Sequence, residues 1–255
     1  KEKNNPSVDI ILPNYNKGEF LEEAINSLIS QTYKNWHTYI IDDNSNDNSW
    51  PIIKKFSQLT NITSIRLNKN MGPSFCRNYA MRISKSKYIS FIDSDDIWEN
   101  VKLEKQISFM EKNNLYFTYS DYMPFFQTDK NKIYKKKTNL RNTFDFNAFI
   151  KNSSINTTTM VIKRSILGTH RFKKIKLMED YLFKCKLLKS NNSATKLNES
   201  LAYYRILNKS RSSQRLKNIF WLWHINNKYN ELGFFKNIAS IFGIAINSIK
   251  KYGFK

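Results

Sequence analysis

Strand-like and helix-like segments alternate four times in about 110 residues, and no other property of this chain restricts its fold as strongly. "VDIIL" (8–12) reads as a strand broken by "PNYNKG". "EFLEEAINSLISQ" (19–31) then sets Phe20, Leu21, Ala24, Ile25, Leu28 and Ile29 on one helical face. "WHTYIIDD" and "SWPIIKKFSQL" repeat the unit, with Pro51 near the first turn of the helix. "ITSIRL" precedes the Gly72 turn and a helix with Pro73 near its start; "KYISFI" precedes "KLEKQISFMEKN". Such a βαβ series predicts a mostly parallel sheet with helices on both faces. Ligands of these sheets bind beyond the carboxyl ends of the strands. This chain places "PNYN", "DDNSND", the Gly72 turn and "DSDD" there.

The alternation loosens after about residue 115. "LYFTYSDY" and "TTTMVIKR" (157–164) read as strands, "MEDYLFKCKLLKS" (178–190) as a helix entered through acids, and "SLAYYRI" as a further strand. The tail from Gln214 is helical and rich in Trp, Phe, Ile and Lys. A length of 255 residues with 40% hydrophobic content suits one α/β domain and a smaller appendage. With 6 Gly and 5 Pro, long flexible linkers are not expected.

A net charge of +21 points to an anionic partner: a nucleotide, a phospholipid surface or nucleic acid. Lys and Asn are spread through the whole chain, so part of that charge belongs to solvated faces. No basic run has the layout of a nucleic-acid module, and "KIYKKK" (132–137) reads as a hairpin or loop edge. No nucleic-acid partner is therefore expected. Cys76 and Cys185 sit in apolar helical patterns and read as buried thiols in a reducing cytosol. His37, His170 and His224 have no metal-ligand spacing. No signal peptide is evident, and the longest uncharged run near the C-terminus, 237–249, is shorter than the roughly 20 residues of a spanning helix. The expected location is cytoplasmic.

The acids after the second and fourth strands need an explanation. An Asx turn accounts for the Asn, the Ser and one Asp of "DDNSND" (42–47), but not for two adjacent acids. Helix capping accounts for one of Asp93, Asp95 and Asp96. A D-x-D pair at a strand end also suits a hard divalent cation that leaves room for phosphate oxygens.

In order, "VDIILPNYN", "YIIDDNSND", "NMGPSFCRNYA", "YISFIDSDD" and "MEDYLF" resemble the blocks of the family 2 glycosyltransferases, inverting enzymes of the GT-A fold. The likeness covers roughly residues 7–205. It implies a Rossmann-like, mostly parallel sheet with a helical C-terminal appendage. The implied division is a catalytic domain over 1–213 and an extension over 214–255. Within the domain, 1–112 would hold the nucleotide and 113–213 the acceptor.

By the same resemblance, Pro13, Tyr15 and Asp43 would contact base and ribose, with Tyr15 stacking and Asp43 accepting the imide hydrogen. Gly72 and Arg77, in the G-x-x-x-x-R-N segment, would lie along the nucleotide; a surface salt bridge is the other reading of Arg77. Asp95 would contact ribose or metal, one of Asp95 and Asp96 would ligate Mn²⁺ or Mg²⁺, and Asp93 would support them or contact the sugar. Asp180 would be the general base with Glu179 beside it, helix capping being the alternative.

The implied reaction is transfer of a hexosyl or N-acetylhexosaminyl group from a nucleoside-diphosphate donor, a UDP-sugar foremost. The acceptor would be a glycan or lipid-linked glycan of bacterial surface-polysaccharide assembly. Leu207 stands where the family often has histidine, which leaves Arg205, Lys209 or Arg211 to supply charge to the diphosphate. A Q-x-x-R-W motif is absent after Gln214, so one sugar per encounter is expected. Phe234, Ile238, Ile241, Phe242, Ala245 and Ile249 recur at helical spacing. They would pack on the domain or on a second copy, or lie in a membrane interface at the inner face of the plasma membrane. Two other readings stand beside this one. A sugar nucleotidyltransferase would need a Gly-rich basic loop that "PNYNKGEF" is not. A catalytically impaired GT-A protein would serve as a basic nucleotide- or lipid-surface-binding module.

Overall fold

The structure is a computed structural model and describes residues 6–128, 131–190, 193–207 and 215–252. Strands β1 (Val8–Asn14), β2 (Trp36–Asp42), β3 (Ile62–Arg66) and β4 (Tyr88–Phe91) pair in parallel in the order β3-β2-β1-β4. Helices α1 (Gly18–Ile29), α2 (Ser49–Phe56), α3 (Pro73–Ile83) and α4 (Lys102–Lys112) connect or follow them. Every residue of β1 is buried, as the innermost strand of a sheet covered on both faces requires.

β5 (Ile97–Trp98) is a two-residue strand, and β6 (Phe117–Gln127) forms a hairpin with β7 (Lys132–Tyr134), which places "KIYKKK" at a sheet edge as expected. β8 (Thr143–Phe144) and the four-residue helix α5 (Phe146–Phe149) precede β9 (Val161–Lys163). Helix α6 (Glu179–Lys189) and strand β10 (Ala194–Arg205) follow, and α7 (Arg215–Lys228) and α8 (Phe234–Tyr252) form the appendage. The whole sheet runs β3-β2-β1-β4-β9-β6-β10-β5, with β7 beside β6 and β8 beside β10. β9 runs antiparallel to both β4 and β6 and joins the two halves into one sheet.

Two segments differ from the sequence reading. β1 continues through Pro13 and Asn14, which pair with Ile41 and Asp42 where β4 no longer runs alongside. A proline lacks only an N–H, so it is tolerated where one neighbour has ended. "TTT" is a 3-10 turn (Thr157–Thr159) and the strand starts at Val161. The Asn156 side chain caps that turn by accepting from the Thr158 amide at 3.1 Å.

Two buried charged groups of the core, Asp9 and Lys102, have specific partners. Asp9, buried in β1, accepts from the amides of Lys85 and Ser86 at 2.7 and 2.6 Å and pairs with Arg164 at 3.2 Å. Lys102 is fully buried at the start of α4. Its ammonium lies 4.0 Å from the Trp98 ring centroid and 2.9 Å from Gln106 Oε1. Burial pushes its pKa down to about 7. The unfolded chain keeps that proton to about pH 10, so stability should rise as pH climbs from about 7 toward 10. Lys102→Met should raise stability at pH 7 by roughly 2–3 kcal/mol, after allowing for the lost Gln106 bond. Denaturant midpoints at pH 7 and pH 10 check this: the gain should shrink at the higher pH.

Candidate active site

The carboxyl ends of β1, β2 and β4 and the two motifs that follow them are knitted together by side chains. The Asp43 amide donates to the Asn14 carbonyl at 2.8 Å, which joins the first two loops. Asp42, fully buried, accepts from Asn14 Nδ2 at 2.8 Å and from the Ser45 hydroxyl at 2.6 Å. Tyr15 stands beside this knot with 45% of its surface exposed, an open aromatic face at the strand end. Pro13 is buried within β1.

Asp43 is buried, and both carboxylate oxygens are engaged. Oδ1 accepts from the Met71 amide at 2.6 Å and Oδ2 from the Gly72 amide at 2.8 Å. In this arrangement it holds the Gly72 turn. The two amides it takes are thereby withdrawn from any anion beside the turn. Gly72 has φ 88° and ψ 162°, a region open essentially to glycine alone. No atom lies within 4 Å of where its Cβ would stand, so a side chain would meet backbone strain and not a clash. Gly72→Ala should therefore cost about 1–3 kcal/mol, measured as a lower denaturant midpoint.

Arg77 does not lie on the surface. It is 6% exposed on α3 and its guanidinium packs over Phe172 at 5.2 Å. One terminal nitrogen donates to Asp93 Oδ1 at 2.7 Å and the other stands 3.7 Å from Glu179 Oε1. Burial alone would lower its pKa, but Asp93 and Glu179 override that and raise it, so the charge is fixed. Its neighbour Asn78 grips the chain entering the E-D motif. Asn78 Nδ2 donates to the Phe172 carbonyl at 2.8 Å and its Oδ1 accepts the Phe172 amide at 2.9 Å. The R-N pair of "CRNYA" thus clamps the D-S-D-D turn to the E-D motif.

Within that turn the Asp96 amide donates to the Asp93 carbonyl at 2.9 Å. Asp95 pairs with Lys17 at 2.8 Å. Burial raises the Asp95 carboxyl above its ordinary range despite that lysine. Asp96 is fully buried; Oδ1 accepts the Arg205 amide at 3.1 Å and Oδ2 has no hydrogen-bond partner. Burial, then Asp95 and Asp93, push Asp96 well above the carboxylate range. An orphaned carboxylate oxygen beside a second crowded carboxyl has the chemistry of a divalent-cation site, and Asp95 and Asp96 are the residues that could hold one. Among the described residues no cluster of three or more His, Cys, Asp and Glu is present. The remaining ligands would be diphosphate and water oxygens, as Mg²⁺ and Mn²⁺ prefer.

Arg205 does not reach into open space. It is buried between Phe20 and Phe125, with its centre 4.5 and 4.6 Å from the two rings. It binds Glu23 at 2.7 Å and the Asp95 carbonyl at 2.8 Å. It therefore buttresses the D-S-D-D turn and is not free to face a diphosphate. Lys209, Arg211 and Gln214 lie outside the described residues.

At the head of α6, Met178 adopts a left-handed conformation (φ 64°, ψ 29°), which costs a non-glycine residue energy and turns the chain sharply into the helix. Glu179 is buried toward Arg77. Asp180 is 41% exposed at its side chain; its Oδ2 accepts from buried Lys184 at 2.8 Å and from the Thr157 hydroxyl at 3.4 Å. Burial would raise the Asp180 carboxyl, but the Lys184 ammonium, helped by Arg77, holds it down to about 2. Lys184 also donates to the Ile155 carbonyl at 2.7 Å. Lys17 and Lys184 were given no role in the sequence reading, and Asn78 entered it only as the last residue of the R-N segment. Asn78 alone carried a signal, its place in the quoted block.

The model of the family described as "Glycosyl transferase family 2" matches residues 9–171. The chain belongs to glycosyl transferase family 2. It is 31% identical to the putative teichuronic acid biosynthesis glycosyltransferase TuaG of Bacillus subtilis (strain 168), over 96% of this chain and 97% of that one. It is 32% identical to an Escherichia coli UDP-Glc:α-D-GlcNAc-diphosphoundecaprenol β-1,3-glucosyltransferase, WfgD, over 97% of this chain and 95% of that one. The fold matches a Pyrobaculum calidifontis mannosyltransferase in complex with GDP-Man and Mn²⁺, with TM-score 0.70, 14% identity, and coverage of 94% of this chain and 70% of that one. This family 2 chain is thus a glycosyltransferase of GT-A architecture with relatives in bacterial cell-surface glycan synthesis. Among its described residues no helix is long and apolar enough to cross a membrane.

Proposed function

We propose that this chain transfers one sugar, with inversion, from a nucleoside-diphosphate donor to an acceptor hydroxyl in bacterial surface-glycan assembly. The donor is a UDP-sugar and the acceptor a glycan or lipid-linked glycan. One observation carries the reading. A single buried guanidinium, Arg77, holds Asp93 of the D-S-D-D turn at 2.7 Å and lies 3.7 Å from Glu179 of the E-D motif. The acids suited to a donor diphosphate and the carboxylate suited to an acceptor proton are therefore fixed against each other. The name of the E. coli relative supports a UDP-sugar donor and a lipid-linked acceptor, and the Mn²⁺ of the mannosyltransferase complex supports the metal.

In this mechanism Tyr15 stacks on the base while Asp43 shapes the turn beside the nucleotide. Asp95 and Asp96 would hold Mn²⁺ or Mg²⁺, which when bound would offset the negative charge on the leaving diphosphate. Asp180 accepts the acceptor's hydroxyl proton as that oxygen forms its bond to the anomeric carbon. The bond from that carbon to the diphosphate breaks on the opposite face, and its electron pair leaves with the diphosphate. Lys184 and Thr157 occupy Asp180 Oδ2, so Oδ1 carries neither contact. Calorimetric titration of UDP with and without Mn²⁺ tests the donor side. Equal affinity in both titrations would sink the metal-dependent reading. A panel of nucleotide sugars screened for slow hydrolysis then names the donor.

A further inference from the structure

The outer helix of the appendage is turned the unexpected way round, while α7 buries Leu222 and Ile225 in the core. α8 presents its polar stripe to the protein. Asn237 and Ser240 are buried, and Asn226 Nδ2 on α7 donates to Asn237 Oδ1 at 3.2 Å and to Ser240 Oγ at 2.8 Å. The Ser240 hydroxyl donates to the Ile150 carbonyl, and Asn247 Nδ2 to the Lys151 carbonyl at 3.3 Å. Gly243 lies on this face, where a Cβ would stand 2.6 Å from the Lys151 carbonyl oxygen. The two backbones are thus in direct contact, and the docking is specific.

At the helical period the opposite face holds Phe235, Phe242, Ile246 and Ile249. Phe235 is 84% and Phe242 64% exposed, and Ile246 and Ile249 are exposed as well. Ile219 and Phe220 of α7 and Phe234 are also exposed and enlarge the apolar surface. Of the stripe read from the sequence, Ile241 packs against the core, with Ile244 beside it. A helix on a water-soluble surface shows the reverse arrangement, and an exposed apolar surface of this kind marks an interaction site.

Charge selects the occupant. Lys217, Lys228 and Lys236 are exposed on the same two helices, and Glu231 is the one acid in the sequence from 215 to 252. A second copy would bring the same cations against these. An anionic bilayer brings the opposite sign. The 19 residues of α8 fail to qualify as a span, which leaves a helix lying flat in the interface. We infer that α8 and the adjoining edge of α7 dock on an anionic lipid bilayer. Phe235, Phe242 and Ile246 enter the acyl boundary and the lysines meet lipid phosphates. The Tyr181 hydroxyl donates to Asn226 Oδ1 at 2.8 Å, so the docked appendage is tied to the helix that carries Asp180. This inference does not depend on the donor or on the proposed base.

Flotation of the full chain with phosphatidylcholine vesicles containing about one-third phosphatidylglycerol tests it. The wild type should float with these vesicles, weakly with pure phosphatidylcholine, and less at high salt. Phe235→Asp with Phe242→Asp should reduce binding by about 100-fold or more. Both side chains are largely exposed, so the melting temperature should not move. No flotation by the wild type, or equal flotation by the double variant, overturns the inference. Equal binding to neutral vesicles overturns the anionic-lipid assignment. A dimer in analytical ultracentrifugation that the double variant abolishes, with no vesicle binding, makes the face an interface between copies and overturns it too.

Discussion

Asp180→Asn should lower sugar transfer by roughly 10²–10⁴-fold, the usual contribution of a positioned general base, while UDP affinity stays the same. The amide keeps the shape of the carboxylate but cannot take the acceptor's proton. It also leaves Lys184 without its anionic partner, and Lys184 is buried. Some loss of stability should accompany the change, limited because Asp180 itself is 41% exposed and Lys184 retains the Ile155 carbonyl. Turnover should be compared with melting temperature in the same preparation. Activity within a few-fold of wild type would remove Asp180 as the base.

The pH profile gives a sharper test of the same carboxylate. With its folded pKa near 2, Asp180 stays ionised through the whole working range. Its stabilising contribution is present above about pH 4 and is lost as pH falls through the folded value. Lys184→Met removes the main depressing charge. The acid limb of the rate should then move upward toward the ordinary carboxylate range, a shift that a purely structural role for Asp180 would not produce.

Asp96→Asn should do two opposite things. It should abolish the Mn²⁺-dependent part of UDP binding, and it should raise the melting temperature of the protein without metal. The second effect follows from the orphaned Asp96 Oδ2. A fully buried carboxylate flanked by Asp95 and Asp93 is held in a site that penalises its charge. Unsatisfied buried groups cost about 1–3 kcal/mol, and charged ones more. The amide removes the penalised charge though not the polar atom, and should raise the midpoint by about 2–4 °C for each kcal/mol regained in a chain of this length. Asp95→Asn makes the informative contrast, because Asp95 already has Lys17 at 2.8 Å and its loss strands that lysine. Retained metal-dependent binding in Asp96→Asn would exclude Asp96 as a ligand. Loss of stability in the same variant would show that the two carboxyls are not a poised anionic site.

The first half of the fold was legible because periodicity decides it. Apolar runs of strand length alternated with amphipathic helices, and the four parallel strands lie where those patterns place them. The second half was less so. β9 is three residues long, and its pairing with β4 and β6 is a long-range fact that no local pattern encodes. "TTT" has strand propensity but is recruited into a capped 3-10 turn. The site blocks were found by order and spacing, yet their side chains are bound differently from the expectation. Asp43 and Arg77 face the protein as much as any ligand. Lys102 and Lys184 could not have been singled out, since lysine is almost never fully buried without special partners. α8 was read correctly as amphipathic, but periodicity alone does not say which face turns inward.

The antiparallel insertion of β9 also has a mechanical consequence. The strands of residues 8–91 and those of 117–205 share one hydrogen-bonded sheet, and Arg77 ties the D-S-D-D turn to the E-D motif. Among the described residues the two sets of strands form one continuous sheet, which opposes a clam-like closure between them. In the proposed mechanism the distance from the anomeric carbon to Asp180 then depends on how each substrate seats itself on that sheet.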